Sequence, residues 1–392
     1  VPNKFEKEIL VPTSKSYANR LLILAAIEKE DVEIIGLPSS TDVLTMIDCL
    51  RCIGIDIEHD ENKTLVKSSF PECEKKSEST LKLMTGDGGT TNRFLLSLLA
   101  RGSNKYELVA TGHMNKRPML PIINALEKLN TKIEVSEEAW LRVQGPMQKE
   151  GEVTIDCKDS TQFVTSLLLA TIDYNIKIKF ENLKSSKTYL DLTQELISKY
   201  RAKGLEYIVP VDFSSLSYPL ALAAHSGKVK IKNCFGTDSY QADSIFIEIL
   251  KEMGAAIHFD DSGLSCEYKE LNGVNIDGSQ CPDIVPTIAF LASYANGNTL
   301  IRNIGVLRHK ECDRVNETLK ILDSFSVSYS LDGDDLTILG SAKETHCKFL
   351  IVPDDHRMVM VGYLFLRVNG GGSISNAKHV NKSFPKFYKI MI

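Results

Sequence analysis

One plan recurs six times along the chain, and few folds can accommodate it. A polar cluster opens an apolar, helix-length run in TSKSYANRLLILAAI (13–27), GDGGTTNRFLLSLLA (86–100) and DSTQFVTSLLLATI (159–172). The same happens in DFSSLSYPLALAA (212–224), CPDIVPTIAFLASYA (281–295) and DDHRMVMVGYLFL (354–366). Short β-like runs follow, such as VEIIGL (32–37), YELVATG (106–112), IKIKFEN (176–182), VKIKNC (229–234) and TLIRNIG (299–305). A second, amphipathic helix comes next, as in 118–130 or 243–254, and leads into alternating strands such as AAIHFDD (255–261) or SVSYSLD (326–332). Self-similarity of this kind marks repeated structural units. Helices so apolar must pack together as a core beneath sheets, which places the chain in the α/β (α+β) class.

Two irregularities divide the chain. The third repeat lacks a closing hairpin, its last helix (190–200) passing through 201–210 into Asp212, and the sixth ends at SFPKFYKIMI without one. The N-terminal run FEKEILVP (5–12) is expected to supply a missing strand. The expected domains are therefore 14–208, and 1–13 together with 209–392, joined by crossings near 12–15 and 204–212. A chain of 392 residues also exceeds one ordinary core.

Composition excludes several functions. A net charge of −5 argues against a general nucleic-acid binder, so an anionic ligand needs a local basic cluster. Nine cysteines, an odd number in a long chain, read as reduced thiols and point to the cytoplasm. Cys49 and Cys52 form a CxxC inside an amphipathic helical run with no second pair, which predicts core packing and no metal. The longest apolar run, Met358–Leu366, is too short to cross a bilayer.

The polar clusters suggest a ligand. Gly86, Asp87, Gly88 and Gly89 turn directly into a helix, whose free N–H groups and positive dipole end form an anion cradle. Parallel packing of the apolar helices would aim six such ends, with Lys15, Arg20, Arg93 and Arg357, at the space between the two halves. The expected ligand is small and multiply anionic. The densest charge cluster is LRHKECDRV (307–315), and Asp283 stands at a helix start, where its ionised form is favoured and can accept a hydroxyl proton.

SKSYANR, GDGGTTNR, KRPM (116–119), DSTQF, PDIVP, LRHKECDR, DHRM and KSFP (382–385) occur in one order. In these motifs the chain resembles the 5-enolpyruvylshikimate-3-phosphate synthase family over nearly its whole length. The resemblance implies two similar domains, each of about three βαβαββ-type units around buried parallel helices, with the active site in the inter-domain cleft. It implies transfer of the enolpyruvyl group of phosphoenolpyruvate to the 5-hydroxyl of shikimate 3-phosphate, releasing phosphate, through a tetrahedral adduct. Closure of the halves over the substrates would exclude water.

By motif, Lys15 would touch both substrates, while Ser16, Arg20, Ser160, Thr161, Gln162, Ser186 and Tyr189 would hold shikimate 3-phosphate. Gly89, Arg117, Arg314, Arg357 and Lys382 would hold phosphoenolpyruvate, and Arg93 either joins them or braces the glycine-rich loop. Asp283 would take the hydroxyl proton and Glu311 would protonate the methylene carbon, with Lys15 or Lys310 sharing the proton traffic. The implied chemistry needs no metal or cofactor, no nucleic acid and no membrane, and the expected enzyme is a monomer. Glyphosate is expected to fit beside Gly89 and Thr90. Val306 stands where the family often has Asn, and Phe94 where it often has Pro. Two alternatives remain: the related UDP-N-acetylglucosamine enolpyruvyl transferase, whose reactive loop Cys is absent from 112–117, and a non-catalytic anion-binding relative.

Overall fold

A computed structural model describes residues 4–135, 140–183, 187–201, 206–343 and 345–392. The six apolar runs form helices α1 (Lys15–Ile27), α2 (Gly89–Leu99), α3 (Gln162–Ala170), α4 (Phe213–Ser226), α5 (Val285–Tyr294) and α6 (His356–Val368). Their polar openings include three side-chain caps: Ser14 accepts from the Tyr17 N–H, Asp212 from Ser215 and Asp355 from Arg357. Gly88 precedes α2 and has no capping side chain, so the first-turn N–H groups there receive none. Burial is nearly all-round, every residue of α1 from Ala18 to Ile27 being buried, which explains why these runs lack a polar stripe.

The chain divides into two compact units, residues 13–210 and residues 1–12 with 211–392. The unit of 13–210 carries a four-stranded sheet of Glu206–Ile208, Val32–Ile35, Lys63–Val66 and Ile57–His59, in that spatial order. A second sheet orders Leu81–Gly86, Lys105–Ala110, Leu141–Gln144 and Lys132–Val135. The other unit repeats the pattern with Phe5–Ile9, Gly227–Ile231, Gly263–Glu267 and Ala256–Asp260, and with Asn275–Asp277, Asn298–Arg302, Asp335–Leu339 and Tyr329–Asp332. Each four-stranded sheet has one parallel edge strand and a closing antiparallel hairpin.

Two of the edge strands have traded places along the chain. Phe5–Ile9 precedes α1 in sequence, yet it pairs in parallel with Gly227–Ile231, Phe5 opposite Gly227 and Ile9 opposite Ile231. Glu206–Ile208 precedes α4, yet it pairs with Val32–Ile35, Glu206 opposite Glu33. The segment read as a simple passage into Asp212 thus includes a strand, too short to show a period of its own.

The third and sixth repeats have two-stranded sheets among the described residues: Glu150–Asp156 with Asn175–Glu181, and Phe349–Leu350 with Ser373–Ile374. Lys177 and Lys179 stand on Asn175–Glu181 and pair with Glu152 at 3.5 and 2.5 Å, charges of the kind that discourage further strand pairing at an edge. The helix expected over 243–254 is a 3₁₀ turn (Ala242–Ile245) followed by Phe246–Glu252. Cys49 is buried as expected, but Cys52, one position off the apolar face, is exposed.

Aromatic side chains lock α4, α5 and α6 together. The Phe290 and Phe365 ring centroids lie 5.1 Å apart at 87°, and His225 lies 4.7 Å from Tyr294, edge to face. Each buried Phe contributes roughly 1.5–3 kcal/mol by leaving water. This packing joins the three helices along their length, and the chemistry-bearing residues Asp283 and Arg357 stand near the opposite, N-terminal ends of α5 and α6.

Candidate active site

In the unit of 13–210, Arg20, Arg93 and Arg117 stand apart from the arginines that pair with carboxylates, such as Arg101 with Asp173. Arg20, on the buried face of α1, donates from Nη1 to the Ser16 carbonyl at 2.8 Å, from Nη2 to the Tyr189 carbonyl at 3.2 Å, and from Nε to Thr193 at 2.9 Å. Its guanidinium stands 5.5 Å from the Phe94 ring centroid and 5.8 Å from that of Tyr189. Phe94, one of the family departures, thus forms the apolar floor under this cation. Burial pulls Arg20 down to about 10.

Arg93, one helical turn into α2, donates to Gln162 at 2.6 Å, to Ser160 at 3.4 Å and to the Pro118 carbonyl at 3.0 Å. Gln162 also donates to Thr90 at 3.0 Å. Burial first, then the like charge of Arg117, lowers Arg93 well below the usual arginine range. Gly89 is held to glycine by Arg117: a Cβ there would run into the guanidinium. No carboxylate of the described residues lies within 4.0 Å of Arg20, Arg93 or Arg117. Arg20 and Arg93 are buried with neutral hydrogen-bond acceptors but no negative charge beside them, and a bound anion would offset that cost. Lys15 differs, since its Nζ lies 2.8 Å from Asp42. Thr161 is buried at the start of α3, and Ser186 lies outside the described residues.

The other unit carries a dense acid–base network. Asp283 receives Arg314 Nη1 at 2.9 Å, Lys310 Nζ at 3.4 Å and Arg357 Nη2 at 3.1 Å. Glu311 meets Lys382 at 3.1 Å and His356 Nδ1 at 3.1 Å. Asp355 caps α6 at the Arg357 N–H and takes Arg314 Nε at 2.8 Å. Arg314 is the first residue of a helix, Arg314–Ser324, an unfavourable place for a cation, and Asp283 and Asp355 supply the compensating charge.

Burial alone would raise the Asp283 carboxyl, but the charges of Arg357, Lys310 and Arg314 hold it well below the usual carboxylate range. Glu311 is depressed in the same way, burial opposing and Lys382 and His356 prevailing. Four cations, Lys310, Arg314, Arg357 and Lys382, thus surround three carboxylates, Asp283, Glu311 and Asp355. The excess is positive. Glu311, Asp355 and His356 offer donor atoms within 4.8 Å of one another, but Lys382 and Arg314 already sit on the two carboxylates and would repel a metal cation.

The structure therefore joins Asp283, Glu311, Lys310, Arg314, Arg357 and Lys382 in one network, and Gly89, Arg93, Arg117, Ser160 and Gln162 in another. Sequence reading gave no role to Asp42, Asp355, His356 or Ser214. His356 and Asp355 adjoin Arg357 at a helix start, and that position was the available signal. Asp42 and Ser214 carry none that distinguishes them from ordinary capping and surface polar residues.

A family model described as EPSP synthase (3-phosphoshikimate 1-carboxyvinyltransferase) matches residues 1–391. The 3-phosphoshikimate 1-carboxyvinyltransferase of Haemophilus influenzae (strain PittGG) is 32% identical over 412 residues, covering 98% of this chain and 95% of that protein. That of Vibrio atlanticus (strain LGP32) is 30% identical over 410 residues, covering 98% and 96%. Among solved structures, EPSP synthase from Acinetobacter baumannii superposes with a TM-score of 0.78 at 21% identity, covering 99% and 95%. The enolpyruvyl transferase NikO from Streptomyces tendae superposes at 0.74 and 14% identity, covering 99% and 94%.

Proposed function

The chain belongs to the EPSP synthase (3-phosphoshikimate 1-carboxyvinyltransferase) family, and from that premise we propose how its residues divide the reaction. The enzyme transfers the enolpyruvyl group of phosphoenolpyruvate to the 5-hydroxyl of shikimate 3-phosphate and releases phosphate. Neither the UDP-N-acetylglucosamine enzyme nor a non-catalytic relative is favoured.

Lys15, Ser16, Arg20, Ser160, Thr161, Gln162, Ser186 and Tyr189 hold shikimate 3-phosphate. Arg93 acts behind them, fixing Gln162 and the Pro118 backbone. Gly89, Arg117, Arg314, Arg357 and Lys382 hold phosphoenolpyruvate, the arginines offering two-pronged contacts to carboxylate and phosphate. Asp283, ionised among its cations, accepts the proton of the attacking hydroxyl.

Glu311 must donate a proton to the methylene carbon, although its carboxyl is depressed as it stands. Phosphoenolpyruvate reconciles the two. Its negative groups compete for Lys382 and Arg314, and every cation drawn from Glu311 raises the carboxyl toward protonation. Asp283 and Glu311 share these cations, so their protons leave as a coupled set with Lys310 and Lys15. Elimination then expels phosphate and returns the proton from the methyl carbon.

The observation that carries this reading is the contrast between the two networks, carboxylate-free arginines in one and acid–base pairs wrapped in excess cation in the other. We further place the enzyme in the cytoplasm as a monomer. Nine free cysteines suit a reducing compartment, and no helix of the described residues is long and apolar enough to cross a membrane. Phosphate release with both substrates, against each omitted, tests the assignments. Release abolished by Asp283→Ala but retained in binding supports them, and undiminished release overturns the role of Asp283.

A further inference from the structure

We infer that Asp243, outside the set assigned to substrate, positions Arg357 for phosphoenolpyruvate through the hydroxyl of Ser214. Asp243 lies in the 3₁₀ turn Ala242–Ile245 and is 2% exposed. Its Oδ2 accepts the Ser214 hydroxyl proton. Ser214 Oγ in turn accepts from Arg357 Nη2 at 3.3 Å, and the same Nη2 lies 3.1 Å from Asp283 Oδ2. The relay runs Asp243, Ser214, Arg357, Asp283, across four separate segments of chain.

Its direction follows from donor arithmetic. A serine hydroxyl has one proton, and an ionised carboxylate only accepts. With that proton drawn toward Asp243, the lone pairs of Ser214 are left for the guanidinium. A hydroxyl free to rotate could instead turn its proton toward Arg357, opposing the cation.

Asp243 Oδ1 is buried with no hydrogen-bond partner among the described residues, which is costly for a carboxylate. The charged and titratable groups facing it are Asp212, Cys281, Asp283 and Arg357. Burial, then the like charge of Asp283, raises its carboxyl to about 6, while Arg357 and the Ser214 hydroxyl favour the ionised form.

The inference rests on the assignment of Arg357 to phosphoenolpyruvate. The test is steady-state kinetics of the full chain, with phosphoenolpyruvate varied at saturating shikimate 3-phosphate. The variants are Ser214→Ala, Asp243→Ala, Asp243→Asn, the Ser214→Ala/Asp243→Ala double and Arg357→Lys. Ser214→Ala and Asp243→Ala should each raise KM for phosphoenolpyruvate roughly tenfold, with kcat changed far less. The double variant should lose no more than the worse single, because both break one relay. Asp243→Asn, which keeps an acceptor oxygen toward Ser214, should restore most of the KM.

Losses that multiply in the double variant, or Asp243→Asn no better than Asp243→Ala, overturn the relay. Should Asp243→Ala not fold, Ser214→Ala decides, since an unchanged KM there overturns the relay and a raised one supports it. Arg357→Lys separates the two levels. An unchanged KM in Arg357→Lys removes the assignment of Arg357 itself, whereas a raised KM there with normal Ser214→Ala removes only the relay.

Discussion

Arg314 Nη1 lies 2.9 Å from Asp283 Oδ1, so a cation assigned to the incoming anion and the carboxylate assigned to the substrate's proton are set by one contact. Asp283→Asn keeps the shape of that contact and removes the base. It should lower kcat by roughly 10²–10⁴-fold, the range of a lost general base, with far less effect on KM for either substrate. Rapid-quench measurement of phosphate formation checks it, and a kcat within threefold of the unsubstituted enzyme would exclude Asp283 as the base.

Gly89→Ala addresses the other network. The added Cβ meets the Arg117 guanidinium, the movable end of a side chain, so the fold should persist while Arg117 shifts. A displacement of this size should raise KM for phosphoenolpyruvate by roughly ten- to hundredfold. Thermal unfolding measured beside the kinetics separates displacement from misfolding, and an unaltered KM with an intact fold would count against Arg117 as a substrate contact.

Asp355→Ala removes the cap of α6 and the partner of Arg314 Nε together. Arg314 keeps Asp283 at 2.9 Å, so the loss should stay below the about 3–5 kcal/mol of a fully orphaned buried ion-pair member, with about 1 kcal/mol of it from the lost helix cap. Urea unfolding should therefore show a loss of roughly 1–3 kcal/mol, larger than for Asp355→Asn, which retains a capping oxygen.

His225 predicts a pH dependence of stability. Burial pulls its imidazole down to about 4, against an ordinary value near 6.5. The unfolded chain therefore binds a proton between those values that the folded chain refuses, and stability should fall as pH drops from 6.5 toward 4. The full difference corresponds to roughly 3 kcal/mol. Denaturant unfolding at pH 7 and pH 5 checks the sign, and His225→Phe, set among Phe290 and Tyr294, should flatten this part of the profile.

Much of this was legible because burial imposes a period or removes one. The runs that became α1 to α6 are apolar on nearly every side, and only a shared core accepts such helices. Asp283 and Glu311 were legible through their motifs. Glu206–Ile208 was not, since three residues cannot display an alternation and its partner lies far away at Val32–Ile35. Ser214 and Asp243 were hidden for another reason. A buried polar contact is created by two segments meeting, and neither residue alone differs from a common capping or turn residue. The same holds for Asp42, which meets Lys15 from the next helix.

The displaced strand Phe5–Ile9 sets a timetable for synthesis. Val11 pairs with Asn233, 222 residues further on, and Phe5 with Gly227. At ordinary translation speeds the first strand waits roughly ten to forty seconds before its sheet neighbour leaves the ribosome. Residues 13–210, by contrast, contain all their sheet partners and can close as soon as Glu206–Ile208 emerges. Phe5–Ile9, made before the whole of 13–210, thus finds its sheet neighbour only after it, and a nascent chain carries this strand unpaired while that unit is synthesised behind it.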